Sequence, residues 1–474
     1  MTASRAGVWL PWMLALYFVA QALVRLWAGP GVQLDEAEIL VMARDFRWGY
    51  GPQQPLYNWV QAGVFALFGI NVAAMVVTKN VCLWLFYMLA FLGLRKFCDD
   101  RRAAVATLGL LFVPTIAWEA QRTLSHSVAL MVTSAAFLWA VCGLLRRDSW
   151  AGWVVLGVTL GLGGLSKTNF WILPPAVALA LLMLPAAPGR VRGPGWARGG
   201  ALALVIAGAI LIGPLWWSMA HRDLALMSVG KLYRSEGPAI GGRLLGGTFE
   251  VLEALVLSFV LLVPVALLAR RVGRGERAPE AAVWLRRWLL WVLVVGLVLL
   301  AVVMTVAGAT RVSPRWLLPL AIPGAAGVVL WALETGSIRG ARLMTGAASA
   351  VAATALVGMA VIFGLQPSRV TDDYTVLHDR VQGLAAENGA VVTGPIRDLG
   401  ALLAVGPDLP VMPPPPLGPG YPPGKPLVRL VEGAGDDTPP QLGATLRGRQ
   451  DLRVANRINP AEGQDFAVEL WDLP

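Results

Sequence analysis

The chain has little charge and few residues of the kinds that build metal centres or disulfide frameworks. Only 14% of its 474 residues are charged, and it contains three Cys and three His. The cysteines lie in or beside apolar stretches, without the spacing of a zinc site or a disulfide framework, so we assign them no function. The scarcity of charge excludes an ordinary soluble protein of this length.

Long apolar runs take the place of the missing charge. Apolar residues make up 56% of the chain and the mean hydropathy is +0.62, which indicates a multispanning, mainly α-helical membrane protein. Runs of roughly 17 to 25 apolar residues predict about eleven transmembrane helices. They lie near residues 9–28, 72–94, 103–118, 126–145, 150–165, 170–186, 200–218, 249–269, 284–307, 315–332 and 343–365. A shorter apolar stretch at 56–69 predicts an interfacial or re-entrant helix in the first outer loop.

The distribution of Lys and Arg predicts the orientation of the chain. With the N-terminus in the cytoplasm, about 18 Lys and Arg fall on the inner side and about 10 on the outer side, the bias typical of inner-membrane proteins. This bias explains most of the formal net charge of +10. The basic residues are dispersed among short loops, so we expect no nucleic-acid partner. The first span lacks a cleavage pattern and is predicted to be a retained anchor.

The composition changes after residue 366, where the chain becomes polar, acidic and rich in proline. We therefore predict a transmembrane domain over 1–366 and a small periplasmic α/β domain over 367–474. Helical spacing at 374–388 stops at Gly389, and the stretches "AVVTG" and "FAVELWDL" are typical of strands. The segment "VMPPPPLGPGYPPGKP" predicts an extended loop, with a hook for a periplasmic partner as the alternative.

An acidic segment, Leu34-Asp35-Glu36-Ala37-Glu38, follows the first apolar run and is predicted to lie outside. A carboxylate beside hydrocarbon costs several kcal/mol unless it is paired or faces water, so this segment has two interpretations. In one, Asp35 caps an amphipathic helix on the membrane surface, because Glu38 follows it at capping-box spacing. In the other, Asp35 accepts a proton in a catalytic cleft, and the two roles are compatible.

The residues around these carboxylates resemble the first outer loop of the C-type, lipid-dependent glycosyltransferases. The sequence "LDEAEILVMARDFRWGYGPQQPLYNWVQAGVFALFG" carries an acidic pair, an amphipathic stretch, "GY", and Pro-Leu followed by an aromatic residue and a Trp. Further similarity lies in "RTLSHSVALM", "GLGGLSKTNF" and "SPRWLLPL", so the resemblance covers most of the first 330 residues. The group includes the protein O-mannosyltransferases and the bacterial lipid A sugar transferases. The tail contributes nothing to the resemblance.

The resemblance implies transfer of a sugar from a polyprenyl-phosphate donor to an acceptor hydroxyl, on the outer face of a bacterial inner membrane. The acceptor that the resemblance implies is a cell-envelope glycolipid of the lipid A or lipopolysaccharide type, or alternatively a protein hydroxyl, as in the O-mannosyltransferases. A lipid or polysaccharide transporter is a second hypothesis, because charges can line a translocation path. The spans contain few charges, such as Arg25, Lys79 and Glu253, which disfavours transport. A scaffold without activity is the third hypothesis, and it predicts indifference to substitution of Asp35.

The resemblance also implies roles for particular residues. Asp35 is the expected general base, and Glu36 is its catalytic neighbour or a contact to metal or acceptor. Cations on the outer side are expected to bind the donor phosphate, with snorkelling to lipid headgroups as the alternative; they are Lys167, Lys231, Arg234 and Arg315. The expected substrate-binding residues are Tyr50, Tyr57, Trp59 and His126.

Two departures from the family pattern bear on metal binding. His126 stands where many relatives carry an acidic residue, and it can bind metal, hydrogen-bond the sugar or cap its helix. Gln53 and Gln54 stand where the aminoarabinose-transferring branch carries Glu-Lys. His126 and His221 without a carboxylate partner are weak evidence for zinc. We therefore predict no obligatory cofactor and leave a divalent metal open.

Overall fold

The computed structural model describes residues 5–123, 125–184, 195–228, 240–272, 275, 277–309, 311–418, 420–433 and 439–474. The chain divides into two compact units. The first unit comprises Met1–Phe18, Pro52–Leu56 and Val81–Ala355, and the second comprises Val19–Gly51, Tyr57–Asn80 and Leu356–Pro474. The second unit thus joins the first outer loop and the C-terminal tail, two segments that are far apart in sequence.

Helices form most of the chain up to residue 365. In chain order they are α1 (Arg5–Trp27), α2 (Leu34–Met42), α3 (Leu56–Phe68), α4 (Val72–Leu94), α5 (Asp100–Leu108), α6 (Ala120–Arg122), α7 (His126–Arg146), α8 (Trp150–Gly164), α9 (Leu173–Met183), α10 (Gly195–Ala220), α11 (Arg222–Leu226), α12 (Ile240–Phe259), α13 (Leu262–Arg271), α14 (Glu280–Ala307), α15 (Leu318–Ala332) and α16 (Ile338–Leu365). A π-helical turn, Thr115–Glu119, precedes α6. Tight 3₁₀ turns lie at Gly109–Phe112, Thr168–Ile172 and Pro314–Leu317.

The mainly α-helical membrane architecture is confirmed. Among the described residues, seven helices are long and apolar enough to cross a membrane, or up to nine if two bent pairs each form one span. One pair, Asp100–Phe112 with Thr115–Arg122, bends by 80° at Pro114, since proline interrupts the helical hydrogen-bond ladder. The predicted count of about eleven is not confirmed, because α8 and Thr168–Met183 are shorter apolar helices.

The tail is a small α/β structure, as predicted. Its strands are β1 (Asp372–Asp373), β2 (Val391–Thr393), β3 (Leu427–Glu432), β4 (Thr445–Asn456) and β5 (Gln464–Asp472), in the sheet order β1-β4-β5-β3-β2. The pair of β2 and β3 is parallel and the other pairs are antiparallel. The predicted helix is α17 (Thr375–Asn388), which ends at Gly389 with φ +59°. A second helix, α18 (Ile396–Val405), was not predicted.

The packing of α2 against α18 organises the second unit. Ala37, Ile39 and Leu40 of α2 are fully buried, and so are Leu399 and Leu402 of α18. Both helices are short, so tertiary packing of their apolar faces rather than intrinsic propensity stabilises them. The helix that carries the acidic segment is therefore held by the tail.

Candidate functional site in two residue clusters

Helix α2 presents its carboxylates on different faces. Six of its nine residues are buried, and the residues that keep exposure are Leu34, Asp35 and Glu38. Asp35 and Glu38 are three residues apart and are therefore neighbours on the helix surface. Glu36 lies on the buried side and is only 3% exposed. Two carboxylates thus lie on the partly exposed face of α2, and the third points into the protein.

The predicted capping role of Asp35 is wrong. The N-cap residue is Gln33, and Asp35 is the second residue of the helix. The carboxylate of Glu36 accepts the backbone N–H of Gln33 at 3.1 Å, so Glu36 supplies the return half of the capping box. Asp35 is therefore not the residue that caps the helix, and the interpretation of Asp35 as a helix cap is excluded.

A buried ion pair anchors Glu36. Arg25 donates from Nε to Oε1 at 3.0 Å and from Nη2 to Oε2 at 2.7 Å, which is the bidentate geometry of a strong charge-assisted pair. The same guanidinium donates to the carbonyl oxygens of Gly29 at 3.1 Å and Gly31 at 2.8 Å. Arg25 therefore ties the end of α1, the connecting turn and α2 together.

The environment of Glu36 keeps its carboxylate ionised. Burial raises its pKa, but the charge and hydrogen bonds of Arg25, the charge of Lys79 and the Gln33 N–H together lower it below its ordinary value. Lys79 is itself buried in α4, and the charges of both Asp35 and Glu36 act on it. With a lowered pKa and with bonds from Arg25 and the Gln33 N–H, Glu36 is suited to hold α2 rather than to exchange protons.

The loop after α2 is fixed by two aromatic side chains. The Tyr50 hydroxyl donates to the carbonyl oxygen of Asp45 at 2.7 Å and accepts the backbone N–H of Arg47 at 3.0 Å. The Trp59 indole donates to the carbonyl oxygen of Arg47 at 2.7 Å, and its ring stacks on Phe46 with centroids 4.8 Å apart. These hydrogen bonds join the Tyr50 and Trp59 side chains to the main chain of the loop. Both residues therefore have a structural role in addition to any contact with a substrate. Tyr57 is buried, with 1% exposure.

In the first unit, the motif residues Ser127 and Lys167 are in direct contact. The ammonium of Lys167 donates to Ser127 Oγ at 2.8 Å, next to His126 at the start of α7. Thr133 of the same helix donates to Ser166 Oγ at 3.0 Å, and Ser166 donates to the carbonyl oxygen of Gly163 at 2.6 Å. These bonds connect "RTLSHSVALM" with "GLGGLSKTNF".

The third motif joins this cluster through Arg315 and Asn169. Arg315 Nη2 contacts Glu119 Oε2 at 3.0 Å, and the Asn169 amide donates to the carbonyl oxygens of Arg315 at 3.3 Å and Trp316 at 3.2 Å. Asn169 follows Lys167 by two residues. The segment that contains Lys167 therefore also binds the main chain at Arg315, the second cation. We name Glu119, Ser127, Lys167, Asn169 and Arg315 the cation cluster.

Sequence reasoning found the cations of this cluster but missed Glu119, Ser127 and Asn169. Their signal was their presence within or just before the three quoted motifs. His126 is buried with 5% exposure, at the start of α7. Lys231 and Arg234 lie outside the described residues, so their predicted roles rest on sequence alone. The described part of the chain contains no group of three or more His, Cys, Asp or Glu side chains that could hold a metal ion.

Comparison with known proteins finds similarity to sugar transferases. Residues 52–216 match the family model described as dolichyl-phosphate-mannose-protein mannosyltransferase. The chain is similar to two lipopolysaccharide core galacturonosyltransferases of Rhizobium johnstonii, RgtB with 33% identity over 317 residues and RgtA with 32% over 324 residues. These alignments cover 66% and 67% of this chain and 63% and 62% of the relatives. The chain thus spans somewhat less than two thirds of the length of the curated relatives it matches.

The fold is that of a solved membrane protein. The crystal structure of ArnT from Cupriavidus metallidurans bound to undecaprenyl phosphate superposes with a TM-score of 0.59, and the match covers 98% of both chains at 15% identity. At this identity the likeness shows a common fold. Together with the family model and the Rhizobium relatives, it confirms the resemblance to C-type glycosyltransferases that the motifs indicated.

Proposed function

We propose that this relative of the C-type glycosyltransferases is an integral-membrane enzyme that transfers a sugar from a polyprenyl-phosphate donor to a hydroxyl of a lipopolysaccharide-type glycolipid. The sugar that the Rhizobium relatives suggest is galacturonic acid, because their names describe galacturonosyl transfer to the lipopolysaccharide core. The reaction takes place on the periplasmic face of the inner membrane, with the N-terminus in the cytoplasm. Residues 1–366 form the transferase domain and 367–474 the periplasmic domain.

The observation that carries the proposal is the unequal state of the two adjacent carboxylates. Glu36 is buried and engaged by Arg25 and Gln33, whereas Asp35 lies on the partly exposed face of α2. Asp35 then takes the proton of the acceptor hydroxyl as its oxygen attacks the anomeric carbon. The bond between that carbon and the phosphate oxygen breaks, and polyprenyl phosphate leaves with the electron pair. Glu36 holds the helix that presents Asp35.

The donor supplies anionic groups that need cations. A polyprenyl-phosphate ester of a uronic acid carries a phosphate and a carboxylate, and Lys167 and Arg315 offer a point charge and a planar guanidinium. Lys231 and Arg234 are assigned to the same phosphate on sequence grounds. Tyr50, Tyr57, Trp59 and His126 remain the proposed contacts to the sugar or the acceptor. Any divalent metal would have to be held by fewer than three His, Cys, Asp or Glu side chains among the described residues.

The test is sugar transfer in proteoliposomes with the purified full chain, polyprenyl-phosphate galacturonic acid, and lipopolysaccharide core as acceptor, read by mass spectrometry. Asp35→Asn should lower kcat by 10² to 10⁴, the range of general-base contributions. Asp45→Asn is the matched control, because Asp45 belongs to the same loop and its exposed carboxylate pairs only at the surface, with Arg47 at 2.9 Å. Full turnover by Asp35→Asn would refute the assigned base.

Donor and acceptor panels separate the alternatives. Transfer to a peptide hydroxyl instead of the glycolipid would indicate protein O-glycosylation, the acceptor class in the name of the matched family model. Movement of the intact donor across the bilayer without transfer would indicate a transporter. Loss of one uronic acid from envelope glycolipids of cells that lack the chain would support the proposed activity.

A further inference from the structure

We infer that the C-terminal domain is a positioning element of the transferase, which holds the helix that presents Asp35 through Gly400 of α18 and through the tail's contacts with the turn before α2. This inference rests on the proposed function, in which Asp35 is the base. It gives a role to a domain that contains none of the sequence motifs on which the family resemblance rests. All of the contacts involved lie within the second unit.

The first contact joins the two helices with no space between them. A Cβ atom built on Gly400 would lie 2.4 Å from Ala37 Cα, 2.4 Å from Ala37 Cβ and 2.7 Å from the Ala37 carbonyl oxygen. Two of these three atoms are backbone, so no side-chain rotation could make room. Gly400 therefore lets α18 approach the main chain of α2 more closely than any other residue would permit.

The contact lies on the face of α2 that is turned away from Asp35. Ala37 follows Asp35 by two residues, which places their side chains about 200° apart around an α-helix. α18 therefore packs on the face of α2 opposite Asp35, and the face that carries Asp35 is not covered by this contact. A shift of α2 by an ångström would move the base out of line with the acceptor oxygen, and such displacements cost roughly a hundredfold in rate.

The second set of contacts fixes the turn that leads into α2. A Cβ on Gly31 would lie 2.3 Å from the carbonyl oxygen of Arg369 and 2.6 Å from that of Val370, so the tail main chain packs directly on this turn. Arg457 of the tail donates to the carbonyl oxygen of Ala28 at 3.1 Å. The Gly31 carbonyl in turn accepts from Arg25, which holds Glu36. The tail thus supports α2 directly and through the Arg25–Glu36 pair.

The test compares Gly400→Ala with Gly383→Ala in the full chain. Gly383 lies in α17 of the same domain, and a Cβ there meets no atom within 4 Å, so the control adds the same methyl group without a clash. Hydrogen exchange of the α2 amides and steady-state kinetics are measured for both variants. Gly400→Ala should accelerate α2 exchange at least tenfold and lower kcat at least tenfold, with the donor KM within twofold. Gly383→Ala should match the wild type in all three.

A second variant keeps the test informative if Gly400→Ala fails to fold. Arg457→Met removes the bond to Ala28 without adding bulk to the contact, and it should change exchange and kcat in the same direction by a smaller factor. Unchanged α2 exchange in both Gly400→Ala and Arg457→Met would overturn the inference. Accelerated exchange with unchanged kcat would overturn it as well, because α2 would then move without affecting transfer. Full activity of Asp35→Asn would refute the proposed base, whereas the exchange result would still report whether the tail holds α2.

Discussion

The buried Arg25–Glu36 pair predicts a large and strongly non-additive effect on stability. Its side chains are 6% and 4% exposed, and the closest N–O distance is 2.7 Å. Two unit charges about 4 Å apart attract by about 4 kcal/mol at an effective dielectric constant of 20. Glu36→Gln leaves the Arg25 charge buried without its counter-ion, and Arg25→Met removes the cation that binds the buried Glu36 carboxylate. Each single substitution should therefore cost about 3 to 5 kcal/mol.

The double variant should cost much less than the sum of the single ones. Without either charge, the remaining losses are the attraction between Glu36 and Lys79 and the hydrogen bonds to the Gly29 and Gly31 carbonyls, each bond worth about 1 kcal/mol net. The amide oxygen introduced at position 36 can still accept the Gln33 N–H. We expect a coupling energy of at least about 2 kcal/mol. The assay is equilibrium unfolding of the full chain in mixed micelles titrated with a denaturing detergent and followed by tryptophan fluorescence.

The control is the exposed Arg47–Asp45 pair, whose side chains are 37% and 66% exposed. A surface pair of this kind should show a coupling of at most about 1 kcal/mol. Additivity of Arg25→Met and Glu36→Gln to within about 0.5 kcal/mol would refute the reasoning, since it would mean that the two side chains do not depend on each other.

Two further predictions follow from the cation cluster and from the tail. Arg315→Ala should raise the donor KM roughly tenfold, because it removes a charge-assisted contact to the donor. Arg311→Ala, at an exposed position four residues earlier, should leave the donor KM unchanged. Equal donor KM values for both variants would remove Arg315 from the donor site. Burial and the nearby Glu432 charge raise the pKa of Asp398 to about 6, so its ionisation destabilises the folded tail as the pH rises from about 4 to 6. Asp398→Asn should therefore slow hydrogen exchange of α18 by raising its opening free energy, by up to about 3 kcal/mol at pH 7.5 and by about 1 kcal/mol at pH 4.5. An equal effect at both pH values would contradict this sign.

The membrane helices were predictable because apolar length is a local property. In the part of the chain that the structure describes, each predicted span consists mainly of helical residues, since the length of an apolar run indicates a membrane helix. Their exact number was not, because α8 ends after 15 residues and Pro114 breaks the helix that begins at Asp100. Hydropathy does not report such bends, which depend on how the chain packs.

The start of α2 shows why local patterns mislead. Gln33 and Glu36 have the same spacing as Asp35 and Glu38, so the sequence offers two capping boxes of equal length. Arg25 decides between them, because its pairing draws Glu36 into the protein and brings it to the Gln33 N–H. Likewise, Glu119 contacts Arg315 across 196 positions of sequence, a separation that no periodicity reveals.

The close fit of Gly31 and Gly400 against their neighbours limits how the domains of related enzymes can be recombined. The first outer loop and the tail lie at opposite ends of the chain. Each contains a glycine at which a Cβ atom would collide with the main chain of the other. A chimaera that takes its tail from a relative would pair two surfaces that were selected separately. Such a hybrid needs the donor's segment corresponding to 28–44 as well, so the smallest exchangeable module of this protein is discontinuous.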